Sequence, residues 1–265
     1  MKPETPSDPE PRFVELPTGP VSYTDEGTGL PVVAIHGLPG SIKDFRWLGA
    51  AIEPHARFIR IDQPGFGQTP LQTMPYGSVQ WRADHLAEVL DALEVEKAVI
   101  LGHSMGGAMA SAFDSRHHRR TLGLALIASV GARQHRRKMP WPTGLSLALR
   151  VPPFRWVLMP RIREATEQIG FLGHDDQALI QCVHLTAATS YTLHEKCLRK
   201  VRAPTLVAWA KDDATIERDI SEQLYWICTP GPRIAFADGG HNIQKSRAIE
   251  LSEALLAWRN QLSER

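Results

Sequence analysis

Cysteine is scarce in this chain, and the three present, Cys182, Cys197 and Cys228, form no CxxC pair. An odd number without metal-ligand spacing excludes a disulfide framework or zinc site from the expected features, and favours a reducing compartment with three small, buried thiols. Charge of one sign is not in excess either. Thirty basic residues stand against 29 acidic ones, which leaves no electrostatic footprint for nucleic acid. Long apolar runs are missing: Leu122 to Val130 falls well short of the ~20 residues that cross a bilayer, so no membrane span is expected. The opening stretch MKPETPSDPEPR is polar, acidic and proline-rich, the opposite of a signal peptide's basic start and apolar run. It reads as a frayed tail over residues 1–11 of a cytoplasmic protein. There is no HExxH, no GxxxxGK[ST] loop and no GxGxxG fingerprint, so neither a metal nor any other cofactor is expected.

What is present is an ordinary globular composition, 43% hydrophobic over 265 residues, which suits one α/β domain with an insertion. Phe13 to Leu16 and Val21 to Thr24 flank a Pro-Thr-Gly-Pro turn and predict a hairpin at a sheet edge. Continuous apolar runs follow at Pro31–His36, Arg57–Asp62, Ala98–Gly102, Leu122–Ser129, Thr205–Ala210 and Arg233–Ala237. Strands of this kind are buried on both faces, as in a parallel sheet covered by helices. Helical periodicity lies between them, at Ser78–Leu93, Ile216–Ile227 and Arg247–Leu262. The alternation breaks between Ser129 and Ala203. Helical patterns at Trp141–Arg150, Phe154–Ile169, Asp175–Thr189 and Thr192–Val201, punctuated by Pro140, Pro142, Pro152 and Pro153, predict a helical cap over residues 131–202. The core is then residues 12–130 and 203–265.

The motif with the most chemistry in it is Gly102-His103-Ser104-Met105-Gly106, between an apolar strand and the Ala-rich stretch Ala108–Phe113. A G-x-S-x-G turn between strand and helix holds its serine in a strained conformation with the hydroxyl projecting, and small neighbours let strand and helix approach. The helix N-terminus behind it favours developing negative charge. A second loop, His36-Gly37-Leu38-Pro39-Gly40, directly follows the strand ending at Ile35.

With these two motifs the chain resembles the α/β-hydrolase superfamily, in particular its cap-bearing HGxP-type esterase and epoxide-hydrolase-like branch. The resemblance implies a mostly parallel eight-stranded sheet with helices on both faces and a helical cap. It implies an oxyanion hole from the amides of Leu38 and Met105, and a bracing rather than catalytic part for His36. Asp62-Gln63-Pro64-Gly65-Phe66-Gly67-Gln68-Thr69 resembles the family's D-x-P-G-x-G-x-S segment, with Thr69 for serine, and implies architecture without chemistry.

Serine is a weak nucleophile at neutral pH and needs a base that is itself oriented by a carboxylate. The family's chain order is Ser, then Asp or Glu, then His. Downstream, Trp209-Ala210-Lys211-Asp212-Asp213 resembles its W-G-x-x-D and implies Asp213 as the acid, with Asp212 as the rival. Asp238-Gly239-Gly240-His241 follows the last strand and supplies the base, His241. His103, His117, His118, His174, His184 and His194 lack that combination of strand end, glycine flexibility and order, and Asp219 and Asp238 read as solvated or turn-capping. A serine rather than aspartate nucleophile argues against alkyl-enzyme chemistry.

The expected activity is hydrolysis of a carboxylic ester, or a related acyl bond, of a small apolar molecule. Trp141, Phe154, Trp156, Phe171 and Leu172 are candidates to line the acyl pocket or to pack the cap. A carbon–carbon bond hydrolase is the alternative, since Ser-Met-Gly-Gly-Ala resembles that group's elbow. Thioesterase, lactonase, perhydrolase and cofactor-free oxygenase activities share the triad, and a ligand-sensing relative with little turnover is the reading from another class. The basic run Arg133–Lys138 reads as a solvated hinge, with an anionic substrate or a membrane surface as the rival readings.

Overall fold

The computed structural model describes residues 6–71, 78–136, 142–168 and 173–263. Eight strands are formed where the apolar runs lie: β1 (Arg12–Leu16), β2 (Gly19–Glu26), β3 (Val32–Ile35), β4 (Phe58–Ile61), β5 (Ala98–His103), β6 (Thr121–Ile127), β7 (Thr205–Ala210) and β8 (Arg233–Phe236). They make one sheet in the order β1-β2-β4-β3-β5-β6-β7-β8. β1 and β2 form the predicted edge hairpin, β2 also runs antiparallel to β4, and every other pairing is parallel.

The two faces of the sheet follow from the alternation of side chains along each strand. Val33, Ile35, Ile100, Leu124 and Leu126 point to one side. There they meet α2 (Val79–Ala92), α3 (Met105–His117) and α8 (Arg218–Ile227), which bury residues such as Leu90, Met109 and Leu224. Val32, Ala34, Val99, Leu101, Ala125 and Ile127 point to the other, against α1 (Arg46–Ile52) and α10 (Ala248–Ser263). Each large aliphatic side chain removed from water this way contributes about 1.5–3 kcal/mol before entropy is charged. Helix α1 and the 3-10 turn before it, Ile42–Phe45, are short elements that no long periodic run announces; a capping box at Ser41 and Asp44 starts the turn.

Between β6 and β7 the chain leaves the sheet, and its described residues build four helices: α4 (Pro142–Leu149), α5 (Pro152–Gln168), α6 (Asp176–Ala188) and α7 (Tyr191–Leu198). Asp175 and Ser190 start α6 and α7 by accepting from Ala178 N–H at 2.8 Å and Leu193 N–H at 3.3 Å, the N-cap chemistry that orphan amides need. A small apolar cluster of Leu149, Met159, Leu179 and Val183 joins α4, α5 and α6, while Leu185 and Leu198 pack into the main core. The short remaining helix, α9 (Ile243–Ser246), follows β8. Residues 6–11 carry no regular structure, yet Asp8 reaches Arg46 at 3.0 Å.

Several imidazoles are buried without an opposing charge strong enough to keep them protonated. Burial pushes His103 down to about 3 and His194 down to about 4. The unfolded chain therefore takes up protons at these sites below about pH 6.5 while the folded chain does not, so their contribution to stability is complete above that pH and declines as pH falls toward the folded values. Urea denaturation followed by circular dichroism should show stability dropping by about 1 kcal/mol per buried imidazole between about pH 7.5 and pH 5.5.

Candidate active site

β5 runs into the turn at Ser104 and α3 leaves it, so the serine must reverse the chain in a single residue. It does so at φ 53° and ψ −122°, a conformation that costs a non-glycine residue about 1–3 kcal/mol. Its neighbours over-determine it. Ser104 N–H donates to Ile127 C=O at 3.0 Å, and Ser104 C=O accepts from Gly107 N–H at 3.0 Å and Val130 N–H at 3.2 Å. The flanking glycines are dictated by space: a Cβ on Gly102 would sit 2.5 Å from Gly106 O, and one on Gly106 would sit 2.6 Å from His36 O. The HGLPG loop passes equally close, since a Cβ on Gly37 would lie 2.9 Å from that of Ser104. Leu38 therefore stands beside the serine and lines the same cavity. Met105 is the first residue of α3, so its amide has no partner within the helix and lies at the positive end of the dipole.

The turn after β8 brings His241 to the serine from 137 residues away: Nε2 lies 3.0 Å from Ser104 Oγ, and Nδ1 lies 2.8 Å from Asp213 Oδ2. A carboxylate only accepts, so Nδ1 carries the proton and Nε2 is left as the acceptor for the serine hydroxyl. Asp213 follows β7, and its side chain is only 1% exposed. Burial alone would raise its carboxyl, but the hydrogen bond and charge of His241, with the amides of Ile216 (3.0 Å) and Thr215 (2.7 Å), outweigh that and hold it below the ordinary value. Asp212 points elsewhere. It accepts from Gly240 N–H at 2.8 Å and Gly239 N–H at 3.3 Å, gripping the backbone of the loop that presents His241.

The remaining motif residues act as braces. His36 is fully buried; its Nδ1–H donates to Gly37 C=O at 2.7 Å and its Nε2 accepts from Gln63 N–H at 3.0 Å. Burial lowers its pKa, which keeps it neutral for these two contacts. Asp62 accepts from Ile42 N–H at 2.8 Å and Gln68 N–H at 2.9 Å, and Thr69 Oγ1 donates to Asp62 C=O at 2.8 Å. His117 pairs with Asp84, His184 bonds Ser146, and His118 meets Arg202, all away from the serine. Asp219 and Asp238 pair with Arg133 and Arg247. Arg133 also reaches Glu217, which ties the start of the basic run to the region of α8; Arg137 and Lys138 lie outside the described residues.

Three groups near the serine were not singled out by sequence reasoning. His103 Nε2–H donates to the backbone C=O of His241 at 3.0 Å, and the two rings lie 4.9 Å apart. Lys245 Nζ meets Asp44 Oδ1 at 2.9 Å, linking α9 to the 3-10 turn after the HGLPG loop across 201 residues. Asn242 and Lys245 line the cavity at Ser104. The only advance signal was position, one residue inside the elbow for His103 and one turn past His241 for Lys245.

The cavity at Ser104 has a volume of about 470 Å³. Its wall includes Lys43, Asp44, Gln68, His174, Asp175 and Lys245, with Leu38, Ile42 and Ala178 as its aliphatic part. The expectation that Phe154 and Trp156 line an acyl pocket or pack the interior of the insertion is corrected: both lie on α5 with their rings in solvent, because the apolar residues of that helix that pack against other described residues are Leu158, Met159 and Ile162. Trp141, Phe171 and Leu172 lie outside the described residues. Among the described residues no cluster of three or more His, Cys, Asp or Glu has the arrangement of a metal site, and no helix is long and apolar enough to cross a membrane.

Comparison with known proteins agrees with this architecture. The family described as the alpha/beta hydrolase fold matches residues 31–160. A 2-hydroxy-6-oxo-2,4-heptadienoate hydrolase of Pseudomonas putida is 27% identical over 245 residues, covering 83% of this chain and 85% of its own. Two solved structures superpose over almost the whole chain. One is a thermophilic esterase from Thermogutta terrifontis (TM-score 0.72, 20% identity, covering 96% of this chain and 99% of its own). The other is the enol-lactonase from Burkholderia xenovorans (TM-score 0.74, 17% identity, covering 94% and 100%). At these identities the structural likeness is one of fold. The family profile over residues 31–160, the strand order and the elbow agree on one architecture, the α/β-hydrolase fold.

Proposed function

We propose that the protein is a serine hydrolase that opens a carboxylic ester, or a closely related acyl bond, through an acyl-enzyme on Ser104. The observation that carries this reading is the unbroken line of hydrogen bonds from buried Asp213 through His241 to a hydroxyl lying on the cavity wall. His241 Nε2 removes the Ser104 proton as Oγ attacks the carbonyl carbon, and Asp213 stabilises the imidazolium that forms. The amides of Leu38 and Met105 receive the oxyanion, each donor being worth a few kcal/mol of the barrier. Collapse of the intermediate expels the alcohol with the proton held by His241; water, deprotonated by the same nitrogen, then releases the acid.

The substrate chemistry follows from the wall of the cavity. Gln68, His174 and Asn242, with Lys245 held by Asp44 at 2.9 Å, give the wall polar groups that suit a small polar substrate, beside the apolar one expected from sequence. That same polarity favours a second reading, hydrolysis of a carbon–carbon bond. The substrate in the name of the Pseudomonas relative contains neither ester nor amide, so its hydrolysis breaks carbon to carbon, and it is a carboxylate. In that reaction His241 would deliver its proton to a carbon leaving group instead of an alkoxide.

Ser104→Ala should abolish turnover of p-nitrophenyl acetate while leaving the circular dichroism spectrum unchanged; undiminished turnover would falsify the proposal. Asp213→Asn should lower kcat by roughly 10³-fold or more, because the imidazole loses its partner and tautomer, whereas Asp212→Asn should cost only about ten-fold through a looser His241 turn. Assaying p-nitrophenyl esters beside a 2-hydroxy-6-oxo-dienoate decides between the two bonds: the ester reading requires the larger kcat/KM on the ester. Lys245→Gln should raise KM about ten-fold for whichever substrate carries a carboxylate and leave KM for neutral p-nitrophenyl acetate nearly unchanged.

A further inference from the structure

The chemistry at Ser104 needs its hydroxyl, the imidazole of His241 and the amides that receive the oxyanion at fixed separations. Ser104 and Met105 are set together where β5 runs into α3, but Leu38 and His241 arrive on two separate loops, 203 residues apart in the chain. A misplacement of about 1 Å between such groups costs on the order of 10²-fold in rate. Among the described residues one side-chain hydrogen bond directly joins the element after the HGLPG loop to the element after His241, Lys245 Nζ to Asp44 Oδ1 at 2.9 Å.

Both ends of this bond are short and stiff. Asp44 gives its other oxygen to the end of the HGLPG loop: Oδ2 accepts from Ser41 N–H at 3.2 Å, and Asp44 N–H donates to Ser41 C=O at 3.0 Å. It stands so near that a Cβ on Gly40 would lie 2.5 Å from Oδ2. At the other end, Asn242 alone separates His241 from α9, and Lys245 N–H and Ser246 N–H donate to Asn242 C=O at 2.8 and 3.1 Å. Phe45 of the 3-10 turn and Ile243 of α9 are buried in the same core cluster. The charged pair is 24% exposed at Asp44 and 34% at Lys245, and both residues line the cavity. An ion pair this open to water adds little to the stability of the fold, so its importance lies in what it holds in place.

We infer that Asp44 and Lys245 form a strut that fixes the distance between the oxyanion loop and the His241 loop, and that both are positioning residues for the reaction. The inference rests on the serine-hydrolase reading of the site. Neither side chain bonds to the triad, since the two ring nitrogens of His241 are occupied by Asp213 and Ser104. The strut acts through backbone: a shift of Lys245 reaches His241 within one helical turn, and a shift of Asp44 reaches the loop of Leu38 through Ser41. Without the bond, the base and the Leu38 amide move independently. That loss falls on the transition state, where both are used at once, and leaves binding of the ground state alone.

The test is a double-mutant cycle with p-nitrophenyl acetate, a neutral substrate that offers Lys245 no anion. Asp44→Asn keeps an oxygen for Ser41 N–H but loses the ion pair, and Lys245→Met keeps the length of the side chain without its donor. Each should lower kcat about ten-fold with KM nearly unchanged, and the double variant should fall about ten-fold rather than a hundred-fold below the parent. Lys245→Arg, which can still pair, should recover most of the loss. The rate constant for phosphonylation of Ser104 by a fluorophosphonate should follow the same pattern, because it draws on the same base and amides. Circular dichroism and the thermal midpoint should stay close to those of the parent; if Asp44→Asn does not fold, Lys245→Met against Lys245→Arg decides, and equal losses in the two overturn the strut. Losses that multiply in the double variant, a loss confined to KM, or variants as fast as the parent overturn it as well, with the triad left standing. A parent protein whose Ser104 is not phosphonylated brings down the serine-hydrolase reading and the strut with it.

Discussion

The site rests on one constraint of space. Ser104 is held at a backbone angle that favours glycine, and it stays there because three pieces of chain crowd the same few ångströms: the end of β5, the start of α3 and the HGLPG loop. Each approach is possible only where a side chain is missing, at Gly102, Gly106 and Gly37. The strain is local, and the hydrogen bonds opposing it come from the next strand, through Ile127 and Val130. The serine is thus fixed by the sheet and not by its own loop, so the hydroxyl has one place to be when His241 arrives from the far end of the sequence.

His241 is the less secure partner, because its loop is short, rich in glycine and next to the edge strand β8. It is held from three directions. Asp212 takes the two glycine amides, His103 takes the backbone carbonyl, and Asp213 takes the ring. Lys245, one turn further on, is tied to Asp44 at the foot of the HGLPG loop. Two adjacent aspartates therefore divide the work by direction, one holding the main chain and the other the imidazole. The neutral state of His103 belongs to this division, since a charged ring 4.9 Å from His241 would oppose formation of the imidazolium.

What was legible in the sequence was whatever local chemistry writes down. Strands buried on both faces must be apolar throughout, so β3, β5, β6 and β7 could be read directly, and the elbow could be read because the crowding around Ser104 leaves only small residues. The placement of Asp213 over Asp212 came from the register of a familiar motif, and the geometry pairs Asp213 with His241. Contacts between distant surfaces were not legible. Nothing in the neighbourhood of Lys245 announces Asp44, and a histidine inside the elbow does not reveal which backbone carbonyl it will reach. The direction of Phe154 and Trp156 was lost for a related reason: an apolar residue in a helix is normally read as buried, and on α5 the apolar stripe packed against other described residues is Met159 with the half-buried Leu158 and Ile162.

The insertion between β6 and β7 thus carries two surfaces of different character. The start of α6, with His174 and Asp175, joins Lys43, Gln68 and Lys245 in a polar wall around Ser104, where the requirement is to recognise a substrate's polar groups. The outer side of α5 carries the aromatic residues, together with exposed arginines, where no substrate in that cavity can touch them. Had the rings of Phe154 and Trp156 turned inward, the cavity would favour long acyl chains and the exterior would be an ordinary charged helix. With the rings outward, the wall around Ser104 is built instead from polar side chains such as Gln68, His174 and Lys245. The two surfaces belong to one helical layer, joined through the Arg163–Asp176 pair and the small core beneath it.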